Sequence, residues 1–133
     1  MDRTSTARAA PPAADPLCGA RVLVVEDDAI IALDLLDILE EAGAIAVGPY
    51  PAEGKARAAL PGIAIDAALL DVHVADGDVY PLADLLRDEG VPTVFHSGGA
   101  DRGALARRYP AAPLCAKPAM PEAVLDALRD VMS

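Results

Sequence analysis

The side chains best suited to chemistry stand directly after short apolar segments of the chain. Glu26, Asp27 and Asp28 follow the run Arg-Val-Leu-Val-Val, and Asp71 follows Ala-Ala-Leu-Leu. Carboxylates gathered in one pocket repel each other, by roughly 4 kcal/mol for a pair about 4 Å apart at an effective dielectric of about 20. A cluster of these residues would therefore need a positive partner.

Two more polar residues follow later apolar segments and could complete such a site. Ser97 comes after Thr-Val-Phe-His, and Lys117 comes after Pro-Leu-Cys-Ala. An all-oxygen site with two or three carboxylates suits Mg²⁺, which keeps several waters and accepts phosphate oxygens as ligands. A carboxylate nucleophile, a metal, a lysine and a hydroxyl are together the parts of a phosphoryl-transfer site.

These residues can meet only if the chain folds so that the apolar segments lie side by side. The β-branched run before Glu26 is typical of a strand buried on both faces. Helical spacing from Ala29 to about Ala42, stopped by Gly43, predicts a helix after it. The same alternation continues with strands at Ala44–Val47, Ala67–Leu70, Thr93–His96 and Pro113–Ala116, and with helices near Ala52–Leu60, Tyr80–Glu89, Asp101–Arg108 and Pro121–Val131.

Five strands alternating with five helices predict an α/β fold with a doubly wound, five-stranded parallel sheet. In the flavodoxin-like strand order 2-1-3-4-5, ligands bind beyond the carboxyl ends of the strands. Glu26, Asp27 and Asp71 would then converge in one pocket. Residues 1–19 are rich in Ala and Pro and predict a disordered tail, which leaves residues 20–133 as a single domain.

Composition narrows the class of protein. The 11 basic and 21 acidic residues give a net charge of −10, which argues against binding to nucleic acid. The two cysteines are too few for a disulfide framework or a zinc site, and we expect a reduced, cytoplasmic protein. No apolar run approaches the roughly 20 residues that cross a bilayer, so we expect no membrane insertion.

Four motifs in this order resemble the receiver domains of response regulators, and the likeness covers about residues 20–133. The motifs are Leu23–Asp28, Leu69–Asp71, Val94–Ser97 and Cys115–Pro118. Each motif is weak alone, and the set is specific.

The resemblance implies a role for each polar residue. Asp71 would be the phospho-acceptor. Its metal shell would hold Mg²⁺ through Asp27 and Asp71 directly, Glu26 through water and the backbone carbonyl of His73. Ser97 and Lys117 would bind the phosphoryl group, with the peptide before Pro118 in the cis form.

Among receivers, the chain looks similar to single-domain bacterial proteins with a Phe-Ala-Thr-Gly-hydrophobic-Tyr segment. The corresponding stretch here begins at Phe95, but His96 replaces Ala, Ser97 replaces Thr and Ala100 replaces Tyr. Leu114 also stands where many receivers carry an aromatic residue that rotates inward on activation. The usual aromatic gate is therefore not expected.

The function implied is that of a single-domain response regulator, a phosphorelay switch. A histidine kinase or a histidine phosphotransfer protein would phosphorylate Asp71, and the domain would at most catalyse its own phosphorylation and dephosphorylation. The signal would pass by contact with a downstream protein or through a phosphorylation-dependent dimer, or the domain would act as a phosphate sink. Two alternatives stay open: a degenerate receiver that serves as a phosphorylation-independent interaction module, and a flavodoxin-like carrier or small enzyme.

Simpler interpretations compete at single residues. Asp28 is expected to cap the first helix, and Asp76-Gly77 favours a turn over part of a calcium loop. His73 and His96 lack the ligand set of a transition-metal site. Cys115 is expected to be a small core residue.

Overall fold

Short, largely apolar segments form the strands of the main sheet, as their hydrophobicity predicts. The protein is described from a computed structural model, which covers residues 15–133; the first fourteen residues of the expected tail lie outside the described part. The strands are β1 Arg21–Val25, β2 Ile45–Tyr50, β3 Ala67–Leu70, β4 His73–Val74, β5 Gly77–Asp78, β6 Thr93–Ser97 and β7 Leu114–Ala116.

Five helices connect the strands of the sheet. They are α1 Ala29–Glu41, α2 Glu53–Ala59, α3 Tyr80–Asp88, α4 Arg102–Arg108 and α5 Pro121–Met132. Each lies where helical spacing predicts one. Asp28 caps α1, because its Oδ1 accepts hydrogen bonds from the backbone N–H groups of Ile30 at 2.9 Å and Ile31 at 3.1 Å. No helix of the described residues is both long and apolar enough to cross a membrane.

The main sheet has the order β2-β1-β3-β6-β7, and all its neighbouring strands are parallel. This is the predicted order 2-1-3-4-5 once the small antiparallel β4–β5 hairpin is set aside. The flavodoxin-like fold class is therefore confirmed. Because all five strands run in one direction, their carboxyl ends share one edge of the sheet.

Alternate residues of the strands point to opposite faces, and each face is covered by helices. One core cluster contains Leu23, Leu70 and Phe95 together with Leu82 and Leu86 of α3. A second cluster, on the other face, packs strand residues against α1 and α5 and includes Val22, Val24, Leu69, Leu39 and Leu128. The strands on which the polar residues depend are thus fixed from both sides.

The domain begins before the predicted boundary at residue 20. Leu17 is fully buried in the second core cluster. Asp15 forms an ion pair with Arg129 of α5, with Nη2 and Oδ2 2.9 Å apart. Residues 15–19 differ from the expected tail because one buried leucine and one ion pair attach them to the domain.

The β4–β5 hairpin is absent from the sequence-based description. Ala75 and Asp76 form its turn, and Gly77, which begins β5 directly after it, adopts a φ of 126° that favours glycine. The Asp76 carboxylate also accepts hydrogen bonds from the backbone N–H groups of Glu53 at 2.8 Å and Gly54 at 2.9 Å. The turn therefore caps α2 from a distant part of the chain, which no local pattern indicates.

Candidate functional site

The carboxyl ends of β1 and β3 bring three carboxylates together. Val25 and Leu70 are register partners, and the Asp71 backbone N–H donates to the Val25 carbonyl at 2.9 Å. Consequently Glu26, Asp27 and Asp71 each place one carboxylate oxygen within 4.8 Å of the others. Glu26 and Asp71 are buried, at 2% and 6% exposure, whereas Asp27 is exposed.

Lys117 lies against the two buried carboxylates. Its Nζ is 3.0 Å from Oε1 of Glu26 and 2.9 Å from Oδ2 of Asp71. The lysine directly follows β7, and its backbone N–H donates to the Ser97 carbonyl at 2.7 Å. The peptide between Lys117 and Pro118 is cis. One ammonium group thus pairs with two buried acids.

Burial and neighbouring groups shift the pKa values of Asp71 and Glu26 in opposite directions. Burial raises the pKa of Asp71 to about 6, and the negative charge of Glu26 adds to the effect against the opposing influence of Lys117. Burial also acts to raise the pKa of Glu26, but the nearby imidazole of His96 and the hydrogen bond from Lys117 outweigh it, and the pKa is lowered to about 2. Asp71 is therefore the member of the pair whose charge is less stabilised.

Ser97 ends β6 close to this cluster and is almost fully buried, at 1% exposure. Its Oγ donates a hydrogen bond to Oδ2 of Asp101 at 3.3 Å. His73 also reaches this oxygen, with its Nε2 2.9 Å away, while its backbone N–H donates to Oδ1 of Asp71 at 3.4 Å. Asp101 is a site residue that the sequence analysis missed, because an aspartate before a short helix reads as a helix start.

His96 lies next to Glu26 of the cluster; the sequence gives it as a departure from a family pattern and as a weak candidate for a metal ligand. It is buried at 5% exposure, and its Nδ1 is 3.8 Å from Oε1 of Glu26, which is too long for a hydrogen bond. Both atoms lack a hydrogen-bond partner among the described residues. His96 is not among the three residues that could share a metal ion.

Asp28 and Cys115 fall outside the cluster. The carboxylate of Asp28 is engaged by the N-terminus of α1. Cys115 is buried in the second core cluster, and burial raises the pKa of its thiol. Both placements agree with the simpler interpretation of each residue.

Solved structures with this arrangement of strands and helices come from several bacteria. A response regulator receiver protein from Sinorhizobium medicae WSM419 is 24% identical with a TM-score of 0.77, covering 86% of this chain and 94% of that one. SdrG from Sphingomonas melonis Fr1 is 33% identical with a TM-score of 0.74, covering 86% of this chain and 98% of that one.

A third structure is longer than this chain. The response regulator PhyR from Brucella abortus is 23% identical with a TM-score of 0.75, covering 89% of this chain and 50% of that one. The chain thus spans about half the length of that protein. No protein-family model matches the chain, and no curated protein matches its sequence.

Proposed function

The chain has the receiver-domain fold of response regulators, and from that premise we propose that it is a phosphoryl-accepting switch of two-component signalling, modified on Asp71. The observation that carries the proposal is the meeting of Glu26, Asp27 and Asp71 within 4.8 Å beside a lysine. Among the described residues, Lys117 is the cation nearest to both Glu26 and Asp71. The site therefore combines a carboxylate nucleophile with a surplus of negative charge.

The donor set fits Mg²⁺. Three carboxylates face a single ammonium group, and the buried Oε1 of Glu26 lies near Lys117 without a hydrogen bond among the described residues. Asp27 and Asp71 would hold the ion directly, Glu26 would act mostly through water, and the backbone carbonyl of His73 would complete the shell. When bound, Mg²⁺ supplies charge neutralisation for the carboxylates and for the phosphoryl oxygens.

In the proposed reaction, a carboxylate oxygen of Asp71 attacks the phosphorus of a phosphohistidine. A new O–P bond forms, the N–P bond breaks, and its electron pair returns to the imidazole of the donor. Lys117 pairs with the transferred oxygens, and the hydroxyl of Ser97 donates a hydrogen bond to one of them. Attack of water on the phosphorus later breaks the O–P bond to Asp71, releases inorganic phosphate and restores the free carboxylate, which resets the switch.

We propose a histidine kinase or a histidine phosphotransfer protein in the cytoplasm as the donor. The modified surface would signal to a downstream protein or promote a dimer, or the domain would drain phosphate from the kinase. We further assign the chain to the single-domain receivers with a Phe-Ala-Thr-Gly-x-Tyr segment. Support comes from the buried Phe95 and from Ser97, whose hydroxyl stands for that of Thr; His96 and Ala100 depart from the pattern.

The test is incubation with acetyl phosphate, with Mg²⁺ or with a chelator. We expect an acid-stable, base-labile adduct that needs Mg²⁺ and is lost in Asp71→Asn. Asp28→Asn is the matched control, because Asp28 is a nearby carboxylate that caps a helix and asparagine also caps helices. An equal yield of adduct in Asp71→Asn contradicts the assignment, and Mg²⁺ binding without an adduct from any phosphodonor favours the degenerate interaction module.

A further inference from the structure

Asp101 occupies the cap position of α4 but does not cap the helix. Its side chain makes no hydrogen bond to the N–H groups of the first turn within the described chain. The carboxylate instead lies with Oδ2 3.3 Å from Oγ of Ser97 and 2.9 Å from Nε2 of His73, and its side chain is only 18% exposed. This acid connects α4 to the end of β6 and to the first residue of β4.

The contact with Ser97 conflicts with the phosphorylated state. A serine hydroxyl carries one hydrogen, and in this structure Ser97 donates it to Asp101. In the proposed function, Ser97 donates that hydrogen to an oxygen of the phosphorylated Asp71. The two acceptors are both anionic, so they repel each other when they approach the same hydroxyl.

We propose that Asp101 is a positioning residue that holds Ser97 in the unphosphorylated arrangement and is displaced when Asp71 is phosphorylated. The inference rests on the proposed function and adds a residue to it. Asp101 thus opposes modification and links modification to the position of α4.

The C-terminal end of α4 is attached to α3, so displacement of Asp101 would move the N-terminal end of the helix. Tyr109, at the end of the helix, is 5% exposed and donates a hydrogen bond to Oδ1 of Asp84 in α3 at 2.6 Å. The guanidinium of Arg108 lies 4.0 Å from the centre of the Tyr80 ring. Loss of the Asp101 contacts therefore frees the first turn of α4 while its last turn stays attached to α3.

The first test compares initial rates of phosphorylation by acetyl phosphate with Mg²⁺. In this reaction Asp71 forms an O–P bond and acetate leaves with the electron pair of the broken one. We expect Asp101→Asn to react about threefold faster or more, because an amide oxygen accepts the hydrogen bond from Ser97 more weakly than a carboxylate does and so releases the hydroxyl for the phosphoryl group. Asp88→Asn, which removes a 70% exposed carboxylate far from the site, should react like the wild type.

A double substitution tests whether the effect passes through Ser97. Combined with Ser97→Ala, Asp101→Asn should give a markedly smaller gain than it gives alone. A purely structural role for Asp101 would lower the rate or leave it unchanged, and circular dichroism of each variant reports whether it folds. Equal or lower rates in a folded Asp101→Asn overturn the inference alone, whereas no adduct in any variant overturns the proposed function and the inference with it.

Hydrogen exchange provides a readout in the wild-type protein. The N–H of Leu105 donates to the Asp101 carbonyl at 2.9 Å, and the N–H of Tyr109 donates to the Leu105 carbonyl at 2.8 Å. On phosphorylation we expect faster exchange at Leu105 and unchanged exchange at Tyr109. Unchanged exchange at both positions, or faster exchange at Tyr109 alone, contradicts release of the first turn.

Discussion

At the residue scale, the defining feature of the site is an acid whose ionised form is less stable in the folded protein than in the unfolded chain. Asp71 is buried next to Glu26, and the single ammonium group of Lys117 serves both carboxylates. Burial raises the pKa of Asp71, so its ionised form is less favourable in the folded protein than in the unfolded chain. The shared lysine stabilises the Asp71 charge only in part. A metal ion or a phosphoryl group that binds Asp71 would therefore relieve the remaining unfavourable charge.

The raised pKa makes a prediction about stability. Since folding raises the pKa of Asp71 from 3.8 to about 6, ionisation destabilises the folded state, with no effect below about pH 4 and the full effect above pH 6. Without Mg²⁺, Asp71→Asn should raise the free energy of unfolding by about 1–3 kcal/mol at pH 7.5. The gain should disappear at pH 3.5. Urea unfolding at both pH values measures it, and a variant less stable than the wild type at pH 7.5 contradicts the pKa assignment.

Removal of the lysine should have the opposite effect. Lys117→Met leaves two buried acids without their ammonium partner, and we expect a loss of about 3 kcal/mol in the free energy of unfolding at neutral pH. The loss should diminish as acid neutralises the carboxylates. Lys55→Met, on α2, is the control substitution. A Lys117→Met protein as stable as the wild type would show that the pair contributes nothing to the fold.

At the element scale, strand ends and helix caps fix where the polar residues stand. The strands could be predicted because Val22–Val25 and Ala67–Leu70 are uninterrupted apolar runs, and the parallel order then places Glu26 beside Asp71. The β4–β5 hairpin could not, because strands of two residues carry no periodicity. Its Asp76 reaches α2 across 22 and 23 positions of sequence, a distance at which local capping patterns give no signal.

Because the Asp76 carboxylate of the hairpin caps α2, we expect the hairpin to contribute measurably to the free energy of unfolding. Asp76→Ala removes the acceptor for the Glu53 and Gly54 amides, and we expect the free energy of unfolding to fall by about 1 kcal/mol. Hydrogen exchange at these two amides should become faster. Asp88→Ala, an exposed acid at the end of α3, should change neither quantity. Unchanged protection of both amides in Asp76→Ala would contradict the capping role.

At the scale of the whole molecule, the receiver fold places the three carboxylates and Lys117 at one edge of the sheet, and in the proposed function the helices carry the response. The meeting of Lys117 with the acid cluster could be anticipated, because these residues come just after the ends of β1, β3 and β7. The role of Asp101 could not, since it depends on how His73, Ser97 and a short helix meet in space. Leu17 was missed for a similar reason, as one leucine in a polar stretch shows its burial only in the folded chain.

The most direct measurement of the central claim is to locate the phosphoryl group by reduction. Protein treated with acetyl phosphate and Mg²⁺ is reduced with borohydride, which converts an aspartyl phosphate to homoserine, and peptides are sequenced by mass spectrometry. We expect homoserine at position 71 and at no other acid, and none when Mg²⁺ is chelated. Homoserine at Asp27 instead, the corresponding five-carbon amino alcohol (2-amino-5-hydroxypentanoic acid) at Glu26, or a protein that remains unmodified under all donors would contradict it.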